Sequence, residues 1–220
     1  MYRRYFILIL LVITVNVITT ASVCGQVLRH TSTYQAAVNA YNDGDDEKAQ
    51  VLLDRAIQEN PNSTEALSMK AYIFLAEGEK QKALSAYSAV LDIDPNHLDA
   101  LTNRALIYME NETYKAALED LDKRIAQTPD DWSAHFDKGY CLGLDGDHED
   151  AIKSFSRSIE LNESHAGSYA NRGFSKINLL TKDGLIRPAR EECTDACRDL
   201  QRAQSMGDTS VVEMIELYCE

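Results

Sequence analysis

Small and large apolar residues recur along this chain at an interval of 34 residues. Counted from residue 30, position 8 of each interval is tiny: Ala37, Ala71, Ala105, Gly139 and Gly173. Position 20 is Ala49, Ala83, Ala117 and Ala151, and position 24 is the large Leu53, Tyr87, Leu121 and Phe155. Helices approach closely only where small side chains meet, and a large neighbour fills the flanking space. Each interval therefore predicts a helix, a turn and a second helix. Gly44, Gly78, Glu112 and Gly146 at position 15 mark the turn, where glycine reaches positive φ cheaply. Pro61, Pro95 and Pro129 at position 32 stop the second helix, and Glu163 takes the fourth slot.

The fifth interval opens with a helix over about 166–180, but its second helix is displaced. Ala196, Leu200 and Ala203 fit positions 20, 24 and 27 only after eleven inserted residues around 181–190, which include Asp183-Gly184 and Pro188. After Gly207, residues 209–219 read as a short amphipathic helix with Val212, Ile215 and Leu217 inward, a cap over the last apolar face.

These columns resemble the tetratricopeptide repeat (TPR) over about residues 30–206. The resemblance implies an all-α fold: a right-handed α-solenoid of about five helix-turn-helix repeats with a C-terminal capping helix. Its repeats would be 30–63, 64–97, 98–131, 132–165 and 166–206. Position 4 departs from the family, with Thr33 and His135 where Trp or Leu is preferred, at some cost in packing.

Ahead of the repeats, Arg3 and Arg4 precede an apolar run and the small residues Thr19, Thr20, Ala21 and Ser22. That order predicts a secretory signal peptide over 1–25, cleaved after Gly25. Lipid attachment at Cys24 is the competing route, although Ala21-Ser22-Val23-Cys24 puts a branched valine before the cysteine. An uncleaved anchor is the bland alternative, with an uninterrupted apolar part short for a membrane span. The expected location is extracytoplasmic, periplasmic or secreted, or tethered as a lipoprotein.

Charge narrows the partner. Lys and Arg number 22 against 35 Asp and Glu, a formal net charge of -13. Nucleic-acid binding, which leans on cations at phosphates, is excluded as an expectation. No HExxH, GxSxG or phosphate-cradling glycine loop occurs, and no catalytic residue, metal or cofactor is expected. His148-Glu149-Asp150 and the acidic runs 43–47 and 145–150 lack EF-hand spacing, and acids at helix starts explain them. Three Asn-x-Ser/Thr triplets, at Asn62, Asn111 and Asn162, read as turn composition. Lys70, Arg104, Lys138 and Arg172 all stand at position 7. They read as a ligand stripe or, with Asp120 and Asp199 as partners for the arginines, as structural ion pairs.

Maturation would leave Cys141, Cys193, Cys197 and Cys219, an even set in an oxidising compartment. The phrase Ala196-Cys197-Arg198-Asp199-Leu200, with Ala203, Gly207 and Tyr218-Cys219, is similar to the ending of extracytoplasmic bacterial TPR proteins. That likeness implies a staple between the last two helices, Cys197 to Cys219, with no bond assigned to Cys141 or Cys193. Free buried thiols are the alternative.

The family likeness also implies a non-enzymatic interaction scaffold of the cell envelope, with a concave face lined by positions 2, 5, 6, 9, 12 and 13. Those positions hold no Lys or Arg, so a clamp for acidic chaperone tails is not carried over. The expected contacts are Tyr34, Tyr72, Asn103, Phe136, Tyr140, Asn171 and Phe174, and the partner an extended protein segment, apolar and neutral to basic. Amides can donate to and accept from such a backbone, and aromatic faces add area with few rotors to freeze. The competing readings are an idle groove whose aromatics pack between repeats, and an accessory domain of an envelope enzyme or secretion assembly.

Overall fold

A computed structural model describes residues 32–181 and 188–220. The expected signal peptide over 1–25, with Cys24, and the inserted residues 182–187 lie outside the described residues. Eleven helices and no strand occur among those described. They divide into two compact units, one ending at Pro95 and the other beginning at Asn96.

The first unit holds α1 (32–42), α2 (Asp46–Glu59), α3 (Thr64–Ala76) and α4 (Lys80–Ile93). The second holds α5 (Leu98–Glu110), α6 (Tyr114–Gln127), α7 (Trp132–Asp145), α8 (His148–Leu161), α9 (Ala166–Thr181), α10 (Thr194–Ser205) and α11 (Val212–Tyr218). From α2 onward consecutive helices within each unit pack together, and Ala37 and Ala40 of α1 share a core cluster with Ala49 and Leu53 of α2.

Helix starts follow the polar residues of the turns. Asp45, Ser63, Asp131 and Asp147 each accept a backbone N–H of the first turn, and His97 does so through Nδ1. Such caps satisfy donors that a helix start leaves open. The acidic runs at 43–47 and 145–150 thus begin α2 and α8. All four residues at position 15 adopt positive φ: Gly44 78°, Gly78 78°, Glu112 56° and Gly146 86°. Three are glycines, and Glu112 carries a side chain in the same conformation.

Core packing repeats in both units. The small residues at positions 8 and 20 and the large ones at 24 are all buried, Ala196 and Leu200 included. A Cβ added to Gly139 would lie 2.8 Å from the Phe155 ring, and one on Gly173 2.7 Å from Leu200 Cδ2. At Gly139 and Gly173, position 8 therefore approaches position 24 of its own repeat too closely for a Cβ unless the neighbour shifts.

The cations at position 7 are tied into ion pairs. Arg104 grips Asp120 through Nε and Nη2, at 2.8 and 2.7 Å, and Arg172 grips Asp199 likewise at 2.8 and 2.6 Å. Arg104 and Asp120 are 16 residues apart, Arg172 and Asp199 27, so the second pair closes around the eleven inserted residues. The lysines instead reach back to the preceding helix, Lys70 to Asp54 and Lys138 to Asp122.

At the C-terminus the sulfurs of Cys197 and Cys219 are bonded, joining α10 to the residue after α11. The capping helix is shorter than the expected 209–219, because Ser210 turns onto the Asp208 carboxylate through its N–H and hydroxyl before α11 begins. Leu217, expected inward, is 45% exposed, whereas Val211, Ile215 and Cys219 enter the core with Met214 and Tyr218 against them.

Three consequences are measurable by thermal or urea unfolding. Glu112→Gly should stabilise the protein by roughly 1 kcal/mol, the left-handed cost of a side chain less the entropy glycine loses. Asp120→Ala should destabilise by on the order of 3 kcal/mol, because it takes the forked carboxylate partner from a largely buried guanidinium. Asp54→Ala, at an exposed carboxylate, should cost under about 1 kcal/mol.

Candidate binding surface

The expected contact residues fall on first-helix faces of both units. In the first unit Tyr34 on α1 is half-buried and Tyr72 on α3 is 51% exposed, with the Tyr41 ring edge-on to it at 6.1 Å. Burial, with the Glu65 charge, raises the Tyr34 phenol above its ordinary value.

In the second unit Tyr140, Asn171 and Phe174 come together. They line a cleft of about 140 Å³ with Gly143, Leu144, His148, Phe155, Ser175 and Asn178. Tyr140 is 44% exposed, and the Phe136 ring stacks on it at 6.3 Å. Phe136 is itself half-buried against Phe155 and His165, so it supports the cleft without lining it. Asn103 on α5 is not among the lining residues. Both asparagines lean on their own helices: Asn103 Nδ2 donates to the Asp99 carbonyl at 2.8 Å and Asn171 Nδ2 to that of Gly167 at 2.9 Å. One amide proton of each is thereby spent, and a partner would meet the remaining proton and the oxygen.

A buried polar centre lies beside this surface that the sequence reading missed. Arg124 occupies position 27, where the other repeats have Ala56, Val90, Ser158 and Ala203. Its guanidinium donates to Asp131 (2.7 Å), Ser133 (2.6 Å) and Asp137 (2.7 Å), pinning the end of α6 to the start of α7. Burial would raise the Asp131 carboxyl, but the Ser133 and Arg124 hydrogen bonds and the Arg124 charge hold it below its usual value. For Asp137, burial outweighs Arg124 and pushes the carboxyl up. The signal available was one charged residue in an otherwise small and uncharged column, followed by the carboxylates of Asp131 and Asp137.

The His165 ring sits 4.5 Å from Trp132 and 4.7 Å from Phe136, with Nδ1 2.8 Å from Ser168 Oγ. Elsewhere Cys141 and Cys193 are buried, and burial with the Asp145 charge raises the Cys141 thiol to about 11. A thiol so placed is inert as a nucleophile. Among the described residues no three His, Cys, Asp or Glu are grouped to hold a metal, and no helix is long and apolar enough to cross a membrane.

Burial lowers the His165 imidazole below its ordinary 6.5, against the opposing pull of the Asp137 charge. With the folded value below the unfolded one, its contribution is present above pH 6.5 and is lost as the pH falls through the folded value. Stability should therefore decline on acidification below that point. An NMR titration of the ring giving a value above 6.5 would contradict the assignment.

Comparison with known proteins gives the same architecture. The family model described as the Tetratricopeptide repeat protein 21 N-terminal ARM repeat matches residues 26–151. A curated relative, the Protein SGT1 homolog of Bos taurus, is 36% identical over 100 residues, 41% of this chain. The match spans 30% of that relative's length. MamA 41-end from Desulfovibrio magneticus RS-1 superposes with a TM-score of 0.70 at 19% identity, covering 80% of this chain and 94% of that one. YrrB, a TPR protein with an unusual peptide-binding site, gives 0.70 at 18% identity, covering 84% and 90%. With the family model spanning more than half its length and the fold shared with these structures, the chain belongs to the tetratricopeptide-repeat family.

Proposed function

We propose that this protein is a non-enzymatic, exported scaffold that holds an extended segment of another protein against the first-helix faces of its repeats. One observation carries the reading. Tyr140 and Phe174 at position 9 of successive repeats, with Asn171 at position 6, gather around a single cleft of the second unit. Tyr72 and Tyr140 support it, because each keeps a large ring substantially in water instead of in the core. The peptide-binding site named for YrrB lends the same fold a precedent.

The partner segment is apolar and neutral to basic. Its apolar groups suit the aromatic walls, and a positive charge suits a chain whose net charge is -13. Nucleic acid does not suit that balance. Export rests on the 1–25 segment, cleaved after Gly25 or lipidated at Cys24, and a Cys197–Cys219 bond is chemistry that an oxidising compartment maintains.

Affinity capture from the native host tests the reading. The Asn103→Ala/Tyr140→Ala double variant should lose the captured partner, at least tenfold in yield, while its helical circular dichroism stays intact. Unchanged capture would move the binding surface away from the first-helix faces.

A further inference from the structure

Gly143 lies in the last turn of α7 and has no packing reason to be glycine. Its neighbours in kind do: Gly139 is crowded by Phe155 and Gly173 by Leu200. A Cβ on Gly143 would meet only Ser175 Oγ, at 3.9 Å, an ordinary contact. Glycine within a helix is less favourable than alanine, so alanine would fit here and strengthen the helix. What the missing side chain provides is space, and that space belongs to the cleft between α7, α8 and α9.

We propose that this cleft is a subsite for one uncharged apolar side chain, of leucine or methionine size, next to a lysine or arginine in an extended partner segment. It rests on the peptide-holding reading above and names what that peptide must carry.

Size sets the first requirement. The cleft measures about 140 Å³, close to the roughly 150 Å³ of apolar cavities that accept a benzene. One side chain of four to six heavy atoms fills it. Chemistry sets the second. Phe155, Phe174, Leu144 and Tyr140 supply apolar walls, and no Lys, Arg, Asp or Glu lines the cleft. A charged side chain inserted there would give up its hydration without a counter-ion.

Charge sets the third. Leu144 and His148 line the cleft, and between them stand Asp145, the last residue of α7, and Asp147, with Glu149 and Asp150 following. Asp147 caps α8 and Asp150 pairs with Lys153, while Asp145 and Glu149 stand exposed. Residues 96–220 hold 14 Lys and Arg against 24 Asp and Glu, so the wider field has the same sign. A cation beside the apolar anchor is drawn to this rim and would be weakened by salt.

The test uses the mature full chain and three N-acetylated, C-amidated tetrapeptides: glycine–leucine–lysine–glycine, its leucine-to-alanine analogue and its lysine-to-glutamate analogue. Amide NMR shifts at Gly143, Ser175 and Asn178 should saturate with the first peptide. They should weaken at least fivefold with glutamate, and at least tenfold with alanine. Gly143→Ala should raise the melting temperature while weakening the first peptide at least fivefold. Equal shifts for all three peptides, or a Gly143→Ala variant that binds undiminished, overturns the subsite. Native-partner capture separates the two levels. If Asn103→Ala/Tyr140→Ala loses capture but Gly143→Ala and the tetrapeptides show nothing, the subsite falls and the groove stands. If the double variant also captures normally, the groove reading falls with it.

Discussion

The close approach of position 8 to position 24 fixes the rest of each repeat. With Gly139 against Phe155 and Gly173 against Leu200, the two helices of a repeat are held at a separation that leaves no room for a Cβ unless the neighbour shifts. Dispersion falls steeply with small gaps, so such a contact resists both loosening and overfilling. It also sets the rotation of the first helix. With position 8 inward, position 9 turns outward, which is why Tyr72, Leu106 and Tyr140 are exposed at the same place in successive repeats.

The position 7 cations divide this framework by chemistry. Both arginines fork onto position 23 of their own repeat, Asp120 and Asp199, where two parallel bonds favour a planar guanidinium. Both lysines turn back to position 25 of the preceding repeat, Asp54 and Asp122. Arg172 reaches that same position with its remaining nitrogen, where it meets Ser156 instead of an aspartate. A point charge serves one carboxylate and a fork serves two acceptors, so the choice between Lys and Arg follows the acceptors that neighbouring repeats supply.

Much of this fold was legible in the sequence because its determinants are periodic. A residue such as Ala117 repeats a constraint already stated by Ala49 and Ala83, and agreement between columns exposes the helices they belong to. What escaped is what happens once. Arg124 binds across a turn to Asp131 and Asp137, a contact no column repeats. Leu217 fits an inward helical stripe, but the turn at Asp208 and Ser210 delays the helix and leaves it outside. The exposed aromatics were readable as a stripe, whereas the space beside Gly143 was not. A glycine in a sequence does not say whether a neighbour has taken its room.

The insertion between α9 and α10 bears on how such a chain can change. The residues on either side are clamped, Arg172 and Lys176 onto Asp199, and Gly173 onto Leu200. Once the ends of a loop are held by contacts that do not involve it, its length enters only through closure entropy. Doubling that length costs about 0.6 kcal/mol. The fifth repeat is therefore a place where sequence can be added almost freely, and where new specificity could be acquired without renegotiating the helices beneath.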